Sequence, residues 1–449
     1  MTIKKKKNRE IFFSFETKDS LSKKFKTKFS FPHKYILEED GDIFIFLHNF
    51  SEFSDLEKNY FMVLIGLKLF EFSKEFNYKI NNLKNKNFLE NISLGWNLGK
   101  YKFERFKSKK IIYKHKKNLD ISNISKSLSE IIFLVRDLIN TPANYLGPRE
   151  IQDFAYNHLK EIVDSKKVFK NLMLKKKFPL IYAVGKGAET RKQPIFSEFN
   201  WKNKTKGYKK KIYLVGKGVS FDTGGLNLKS GSGMILMKKD MGGAANCIGL
   251  SKLIIDQNIN IDLTLLLCLV ENSVSSKSMR PSDIIKSRSG LFVEIKDTDA
   301  EGRLIMADAL SYASESKPDL IIDLATLTGA SRVALGLEVP SFFCNDKSLS
   351  QKLIQASETC GDPLWELPLW KNYSSLLSSQ HADLSNIGIG SFGGAITAAL
   401  FLQKFVGKDV PWIHIDMMSW TSGSVFSSYQ GGEAMAIRAL SLFLKEISK

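Results

Sequence analysis

Apolar positions in the first quarter of the chain change from strand-like runs to helical spacing. Between residues 11 and 48, short Phe- and Ile-rich runs alternate with charged breaks, which is typical of strands. Over residues 54–76 the apolar positions recur at helical spacing, and Ser54 followed by Glu57 predicts a capping box at the start of this helix. This order predicts a small N-terminal α/β domain, residues 1–117, and no motif in it indicates catalytic chemistry.

Beyond residue 117, short apolar runs alternate with stretches of helical length. A lysine-rich segment, residues 107–117, marks the predicted domain boundary. Because strands separated by helices form a mostly parallel sheet flanked by helices, we predict a larger C-terminal α/β domain, residues 118–449, that begins with a connecting helix. Strands are predicted at 180–184, 211–215, 262–270, 320–324 and 412–416, and helices at 124–139, 241–255, 303–314 and 433–445.

Length and hydropathy favour two domains and argue against a membrane protein. At 449 residues the chain exceeds the size at which a single core usually stops growing. No apolar run reaches the ~20 residues of a membrane-spanning helix. The basic start is followed by only a short apolar stretch, then Glu16, with no small-residue cleavage site, so it does not resemble a signal peptide. The four cysteines form no CxxC pair, which favours a reducing, cytoplasmic location.

The net charge of +19 belongs to the first half of the chain. Residues 1–210 contain 44 Lys and Arg against 23 Asp and Glu, or +21, and the remainder contains 22 against 24, or −2. A basic balance of this size is compatible with nucleic-acid binding. No RNP aromatic pattern, zinc finger or helix-turn-helix signature accompanies it, however. We therefore favour a solvated basic surface and keep nucleic-acid binding as an alternative.

Two polar clusters interrupt the otherwise apolar second half. The first lies in the glycine-dense run LVGKGVSFDTGGLNLKSGSGMILMKKDMGG, residues 214–243, where a predicted strand opens into a loop before the next helix. Glycines allow a backbone to fold tightly, and the loop after a strand is where open α/β sheets bind ligands. The second cluster is DTDAEGRL, residues 297–304. The charged candidates are Lys217, Asp222, Lys229, Asp240, Asp299, Glu301 and Arg303.

Four of these candidates are carboxylates, and their convergence would be unfavourable without cations. Two divalent metal ions that share bridging carboxylates would relieve the repulsion, as in hydrolases whose ions lie ~3.5–4 Å apart. The sequence contains no HExxH pair, no GxSxG elbow and no P-loop, which disfavours a single-zinc protease, a serine hydrolase and a P-loop nucleotide site.

Each candidate also has a purely structural interpretation. Asp240 directly precedes a predicted helix and could be its N-cap, and Asp222 before Thr-Gly-Gly could be a turn residue. The acidic residues of the second cluster could complement a helix dipole, and the lysines could lie on the surface. Together these interpretations explain two dense polar clusters in apolar sequence poorly.

The motifs resemble those of the leucyl aminopeptidase family, the dinuclear-metal cytosolic aminopeptidases with the signature NTDAEGRL. The matching segments are DTDAEGRL at 297–304, VGKGVSFDTGGLNLK at 215–229, MKKDMGGAA at 237–245, DLATLTGA at 323–330 and GGAITAALFL at 393–402. The resemblance extends from about residue 95 to the C-terminus, and this combination of motifs is highly specific.

The resemblance implies a role for each matching position. Five positions match the metal ligands, with Asp222 and Glu301 bridging both ions: Lys217, Asp222, Asp240, Asp299 and Glu301. Lys229 matches the lysine that polarises the scissile carbonyl, and Arg303 matches the arginine that holds a bicarbonate ion acting as general base. Four positions match residues that line the substrate pocket: Met237, Thr326, Leu327 and Gly329.

The implied activity is that of a metal-dependent aminopeptidase, a hydrolase that releases N-terminal amino acids from peptides and prefers leucine-like residues. The resemblance implies two divalent ions per subunit, Mn²⁺ or Zn²⁺, and a cytoplasmic homohexamer. Some members of the family also bind DNA, so an additional DNA-binding role of the basic N-terminal half is the alternative. One departure from the family pattern is Asp297, where asparagine is usual, and it adds a negative charge beside the expected metal site.

Overall fold

The described part of the chain forms two compact units. The computed structural model describes residues 8–14, 36–39, 42–47, 50–73, 76–108, 117–160, 163–423 and 429–449. The smaller unit is Met1–Phe133 with Ser357–Asp362 and Gly423–Tyr429, and the larger is Leu134–Ala356, Pro363–Ser422 and Gln430–Lys449. Residues 109–116 of the predicted boundary segment, and most of the predicted strand region 11–48, lie outside the described residues. The domain boundary at residue 117 stays a prediction.

The smaller unit packs two helices against a five-stranded sheet. In sheet order the strands are β2 (Ile36–Glu39), β3 (Asp42–Phe46), β1 (Asn8–Ser14), β4 (Asn77–Ile80) and β5 (Asn118–Leu119). The helices are α1 (Asp55–Phe72) and α2 (Lys86–Leu98). Ile11 of β1, Ile65 of α1 and Trp96 of α2 are fully buried in one apolar core. This core gives the unit its own hydrophobic stabilisation.

Helix α1 begins as the sequence predicts. Ser54 is its N-cap and forms a reciprocal capping box with Glu57. Further along, α1 and α2 approach each other at Gly66 and Gly95. A Cβ at either glycine would lie within 2.3 Å of a carbonyl oxygen of the other helix. Only a residue without a side chain allows backbones to pack this closely.

The larger unit is built on an eight-stranded sheet. In sheet order the strands are β14 (Trp365–Glu366), β13 (Ser341–Cys344), β16 (Trp412–Asp416), β12 (Leu320–Ala325), β8 (Lys210–Asp222), β9 (Ile261–Asn272), β7 (Ile195–Trp201) and β6 (Ser165–Lys170). The central strands β16, β12, β8 and β9 are parallel, and β7 and β6 are antiparallel additions at one edge. Short strands pair outside this sheet: β10 (Ile284–Lys286), β11 (Phe292–Glu294), β15 (Leu384–Ser385), β17 (Trp420–Thr421) and β18 (Gly431–Gly432).

Helices separate the parallel strands along the chain. The remaining helices are α3 (Lys126–Asn140), α4 (Pro148–Leu159), α5 (Asn171–Lys177), α6 (Pro179–Gly185), α7 (Gly231–Met234), α8 (Gly242–Asp256), α9 (Glu301–Glu315), α10 (Gly329–Leu335), α11 (Lys347–Cys360), α12 (Gly394–Gln403) and α13 (Ile437–Ile447). Short 3-10 helices lie at Phe50–Glu52, Thr190–Lys192, Met237–Met241 and Lys371–Leu377. The predicted α/β class with a mostly parallel central sheet is confirmed. Among the described residues, no helix combines the length and hydropathy needed to cross a membrane.

The central parallel strands end at one edge of the sheet. Asp222 is the last residue of β8, Asn272 of β9, Ala325 of β12 and Asp416 of β16. Every residue of β12 is buried, as expected for a parallel strand covered on both faces. Since parallel strands share the direction of their carboxyl ends, the polar residues that follow them are collected at this edge.

The prediction of a strand at residues 180–184 is wrong, because this run lies in helix α6. Pro179 starts the helix, where a missing N–H is tolerated. The buried carboxylate of Asp308 on α9 then accepts hydrogen bonds from the backbone N–H groups of Leu180 (2.8 Å) and Ile181 (3.4 Å). A short apolar run does not distinguish a strand from a buried helix. The deciding cap comes from a residue 128 positions away.

We expect Asp308→Ala to lower the free energy of unfolding by about 2–4 kcal/mol. The substitution removes the acceptor of three backbone N–H groups, those of Leu180, Ile181 and Arg288. Chemical denaturation followed by circular dichroism measures the change. Asp153→Ala is the matched control, because Asp153 is exposed and its one ion pair within the described residues is with Arg149 on the same helix. The prediction fails if the two variants lose equal stability.

Candidate metal centre

Three segments carry the predicted charged residues to the carboxyl edge of the large sheet. Strand β8 and the loop after it provide the lysines and the first aspartate, namely Lys217, Asp222 and Lys229. The 3-10 helix Met237–Met241, which leads into α8, contains Asp240. The loop before α9 and its first turn provide Asp299, Glu301 and Arg303. Each acidic cluster of the sequence therefore lies where a strand or loop meets the start of a helix.

All predicted site residues line a single cavity of about 720 Å³ in the larger unit. They are Lys217, Asp222, Lys229, Met237, Asp240, Asp299, Glu301, Arg303, Thr326, Leu327 and Gly329. The structure thus brings every sequence candidate together and leaves none outside the cavity. A shared chemical site requires the two clusters to converge, whereas the purely structural interpretations of the single residues do not.

The acidic residues form a compact, largely buried cluster. One carboxylate oxygen each of Asp222, Asp299 and Glu301 lies within 4.8 Å of the other two. Asp240 joins them through Lys217, whose Nζ lies 2.9 Å from Asp240 Oδ2 and 3.0 Å from Glu301 Oε1. The four carboxylates are therefore close enough to interact strongly in a site from which water is mostly excluded.

Two lysines are embedded in this cluster, so they are not the surface lysines of the structural interpretation. The Lys217 side chain is 3% exposed and that of Lys229 is 15% exposed. Lys229 Nζ lies 2.9 Å from Asp222 Oδ2 and 2.5 Å from Asp299 Oδ1. Each lysine thus compensates two carboxylates from different segments.

The pKa values reflect this crowding of charge. Burial works against the charged form of Lys217, but Asp240, Glu301 and Asp222 outweigh it and raise its pKa. The pKa of Lys229 is raised in the same way against the effect of burial, chiefly by Asp222. Burial, followed by the charge of Asp222, raises the pKa of Glu301 well above its usual value. The same two causes raise the pKa of Asp299 to about 6.

The donor set fits a pair of divalent cations. Three buried carboxylate oxygens each lie 2.5–3.0 Å from a lysine ammonium without a well-aligned hydrogen bond from a described residue: Asp240 Oδ2, Asp299 Oδ1 and Glu301 Oε1. A buried acidic cluster that only lysine ammonium groups neutralise is suited to a divalent cation, and carboxylate oxygens with one amine nitrogen suit Zn²⁺, Mn²⁺ or Mg²⁺. A lysine amine binds a metal ion only when neutral, so a bound dication must reverse the pKa shift of Lys217.

Arg303 lines the same cavity. It is 8% exposed, and its Nε has no hydrogen-bond partner among the described residues. Burial lowers its pKa to about 10, against the opposing charges of Glu301, Asp416 and Asp297. The group is therefore charged at neutral pH. A guanidinium fork in the first turn of a helix is suited to binding a small anion.

The remaining structural interpretations hold only in part. Asp240 is not an N-cap, because Met241 occupies that position of α8 without a side-chain hydrogen bond. Asp240 instead accepts a hydrogen bond from the hydroxyl of Thr326 at 2.7 Å. Asp222 does form a turn, since its Oδ1 accepts from the backbone N–H of Gly224 at 2.9 Å. Its other oxygen faces the lysine side of the cluster, so the turn also orients the carboxylate.

Sequence analysis missed the residues that hold the two clusters against each other. The Thr298 backbone N–H donates to Asn227 Oδ1 at 2.9 Å, and the Thr298 hydroxyl donates to the carbonyl of Gly224 at 2.6 Å. Asn272 donates to Asp222 Oδ1 at 2.8 Å and to the carbonyl of Thr298 at 3.1 Å. A polar residue at the end of an apolar strand, as at Asn272, is the signal that could have identified this network.

Asn386 and Asp297 shape the loop before α9. The Asn386 side chain accepts from the N–H groups of Lys296 and Asp297 and donates to the Asp297 carbonyl. Asp297 Oδ1 accepts from the Asp299 N–H at 2.8 Å. An asparagine at position 297 has the same acceptor oxygen, so the aspartate found here retains the turn while adding charge. No sequence signal identifies Asn386, which lies about 90 residues from the loop.

Gly302 provides the space that Lys217 occupies. A Cβ at Gly302 would lie 2.5 Å from Lys217 Cε and 2.6 Å from its Nζ. The glycine of the DTDAEGRL segment is thus required by a close approach between α9 and a side chain of β8.

Comparisons with known proteins agree on one family. The catalytic-domain model of the cytosol aminopeptidase family matches residues 133–441. The protein of Persephonella marina named "Probable cytosol aminopeptidase" is 37% identical over 362 residues, which cover 77% of this chain and 72% of that protein.

Solved structures give the same result. The cytosol aminopeptidase from Coxiella burnetii has a TM-score of 0.85 and 36% identity, covering 100% of this chain and 99% of that chain. The bottromycin maturation enzyme BotP in complex with Mn has a TM-score of 0.84 and 26% identity, covering 99% of this chain and 100% of that chain.

We expect Gly302→Ala to weaken Mn²⁺ binding by at least about tenfold, because the added methyl group displaces Lys217 from the carboxylates. Isothermal titration calorimetry measures the affinity, and thermal unfolding checks that the variant is folded. Gly231→Ala is the matched control, since a Cβ there meets no atom within 4 Å. Unchanged Mn²⁺ affinity in folded Gly302→Ala would show that the position of Lys217 does not matter for the centre.

Proposed function

The chain belongs to the cytosol aminopeptidase family and is an aminopeptidase-type hydrolase, and on this premise we propose that it releases N-terminal residues from peptides by two-metal hydrolysis. The observation that carries the proposal is the convergence of both sequence clusters on one cavity. Leucine-like first residues are the proposed preference, on the strength of the family resemblance.

Five residues would hold the two ions: Lys217, Asp222, Asp240, Asp299 and Glu301. Support comes from the convergence of buried carboxylate oxygens whose charge only lysine ammonium groups neutralise within the described residues and from the manganese named for BotP. When bound, the ions would lower the pKa of a water, hold the free amine of the substrate and polarise the scissile carbonyl, and a bicarbonate would accept a proton. We propose Mn²⁺ or Zn²⁺ as the resident metal.

Lys229 is proposed to stabilise the oxygen of the scissile carbonyl as negative charge develops on it. Its ammonium lies at the cavity surface and is held by Asp222 and Asp299. A charged donor fixed before the reaction begins needs little reorganisation, and such stabilisation is commonly the largest single contribution to catalysis. The raised pKa of Lys229, to which Asp222 contributes against burial, keeps this donor protonated.

Arg303 is proposed to hold the bicarbonate ion. The support is its unpaired Nε, its burial and its place in the first turn of α9. Because the guanidinium is planar, it can donate two hydrogen bonds to one planar anion and so fix its orientation. Its part in the reaction would be positioning, through the anion, with no proton transfer of its own.

The substrate's first side chain is proposed to contact Met237, Thr326, Leu327 and Gly329. The cavity wall at these positions includes half-buried apolar side chains and a glycine that leaves room beside it. Thr326 has a second task, because its carbonyl accepts from Lys217 at 2.8 Å and its hydroxyl donates to Asp240. Thr326 would therefore hold the cavity wall that contacts the substrate's side chain in a fixed position relative to Lys217 and Asp240.

A cytoplasmic homohexamer is the proposed state of the protein, by analogy with the cytosol aminopeptidases that it resembles. Light scattering coupled to size-exclusion chromatography tests the assembly. The nucleic-acid alternative rests on the net charge of +19 alone, and the described cavity provides no separate support for it. Peptide hydrolysis is therefore the single function that we propose.

Metal removal is expected to abolish hydrolysis of leucine p-nitroanilide, and added Mn²⁺ or Zn²⁺ is expected to restore it. The measurement is the rate before dialysis against a chelator, after it, and after metal addition, with metal content determined in parallel. Chelated protein that contains no metal and retains full activity would contradict a two-metal mechanism.

Lys229→Ala and Arg303→Ala are each expected to lower kcat by about 10²–10³ while leaving the fold intact, because each removes a charge that acts at the reacting groups. Steady-state kinetics with leucine p-nitroanilide measure the loss. Lys252→Ala is the control, since Lys252 lies outside the cavity and forms an ion pair with Asp256 of the same helix, α8. Normal kcat in both cavity variants would refute their assigned roles.

A further inference from the structure

Lys239 is a buried cation that faces the cavity and has no role in the mechanism above. It is 6% exposed and lies in the 3-10 helix Met237–Met241, directly before Asp240. It lines the same cavity as the metal-ligand candidates. Its ammonium makes no hydrogen bond or ion pair with any residue in the described part of the chain. By contrast, the equally buried Lys217 contacts two carboxylates.

The carboxylates within electrostatic range of Lys239 are already engaged by other groups. Asp240 accepts hydrogen bonds from Lys217 at 2.9 Å and from Thr326 at 2.7 Å. Asp416, which is 1% exposed, accepts from the backbone N–H groups of Leu327 and Thr328 and from the Thr328 hydroxyl. Neither acid is therefore free to neutralise Lys239.

A second cation, Arg332, also lines this cavity. It is exposed, and it forms no ion pair with a carboxylate of the described residues. Its Nη1 lies 3.9 Å from Met418 Sδ, and its Nη2 lies 3.8 Å from the position of a Cβ on Gly329. Gly329 and Met237 belong to the proposed substrate wall, so the two cations border the space for the substrate's side chain.

We propose that Lys239 and Arg332 form a subsite that binds a carboxylate of the peptide substrate. The inference rests on the proposed function and extends its substrate class from neutral to acidic peptides. A buried ammonium without a counter-ion is unfavourable, and a substrate carboxylate supplies the missing partner through a charge-assisted hydrogen bond.

The carboxylate can come from three places in a short peptide. It can be the side chain of the first residue, the side chain of the second residue, or the free C-terminus of a dipeptide. The nearness of the two cations to Met237 and Gly329 favours the first of these. Each source has a neutral partner of nearly the same shape, so the three can be separated.

Three substrate pairs at pH 7 test the subsite with metal-loaded protein: glutamyl and glutaminyl p-nitroanilide, Leu-Glu-amide and Leu-Gln-amide, and Leu-Gly and Leu-Gly-amide. In at least one pair, kcat/KM for the carboxylate substrate is expected to exceed that of its neutral partner by about 10- to 100-fold. The effect is expected mainly in KM, because the contact exists before the reaction as well as during it. The pair that responds identifies the source of the carboxylate.

Lys239→Met is expected to reduce that ratio to near one, and Lys239→Arg, which retains the charge, is expected to keep most of it. Arg332→Gln provides an independent, exposed position at which the ratio should fall by a smaller factor. Lys238→Met is the matched control: Lys238 is the adjacent lysine, does not line the cavity and donates to the Asn140 carbonyl at 2.8 Å. Its ratio should equal that of the unmodified protein.

The outcomes separate this inference from the proposed function. Ratios near one in all three pairs, with neutral substrates still hydrolysed, overturn the subsite and leave the aminopeptidase in place. A preference that survives in both folded Lys239→Met and Arg332→Gln also overturns it, because another group then binds the carboxylate. Absence of turnover with every substrate overturns the proposed function and the subsite together. The subsite is supported if Lys239→Met loses the preference for the carboxylate substrate and Lys238→Met retains it.

Discussion

The mutual repulsion of carboxylates in one buried cavity is the constraint on which the catalytic unit depends. Asp222, Asp299 and Glu301 have oxygens within 4.8 Å of one another, and burial makes such proximity costly. The chain compensates with Lys217 and Lys229, each within 3.0 Å of two carboxylates. The same arrangement concentrates carboxylate oxygens of the kind that divalent ions bind. Cations therefore hold together segments that would otherwise repel.

The parallel sheet makes that arrangement possible, because it directs the ends of its central strands to one edge. The close packing behind this edge depends on small residues in the helices. A Cβ at Gly243 would lie 2.0 Å from the Leu324 carbonyl oxygen, so α8 packs directly on β12 and delivers Asp240 beside the cluster. Gly302 likewise leaves room for the Lys217 side chain of β8 to lie against the start of α9. Close packing of the backbone beneath the site therefore allows these side chains to reach it.

The cations of the cavity differ in whether carboxylates of the protein neutralise them. Lys217 and Lys229 are neutralised by the protein itself, so they hold the site together. Arg303 and Lys239 are also buried, yet neither has an ion pair within the described residues. A buried cation without an ion pair is unfavourable, and an anionic ligand that reaches it supplies the missing partner. We propose that Arg303 and Lys239 are therefore the cations available to an anion and to a substrate carboxylate.

The sequence alone determined the α/β class, the capping box at Ser54 and the membership of the charged cluster, because each depends on residues close together in the chain or on a dense motif. Only the tertiary structure decided what those residues contact. The helix at Pro179–Gly185 depends on a cap from Asp308, and the loop before α9 depends on Asn386. Whether a buried lysine is neutralised, as Lys217 is, or unpaired, as Lys239 is, also required the fold. Such contacts join residues far apart in sequence, and their distances arise only when the whole sheet and its helices have packed.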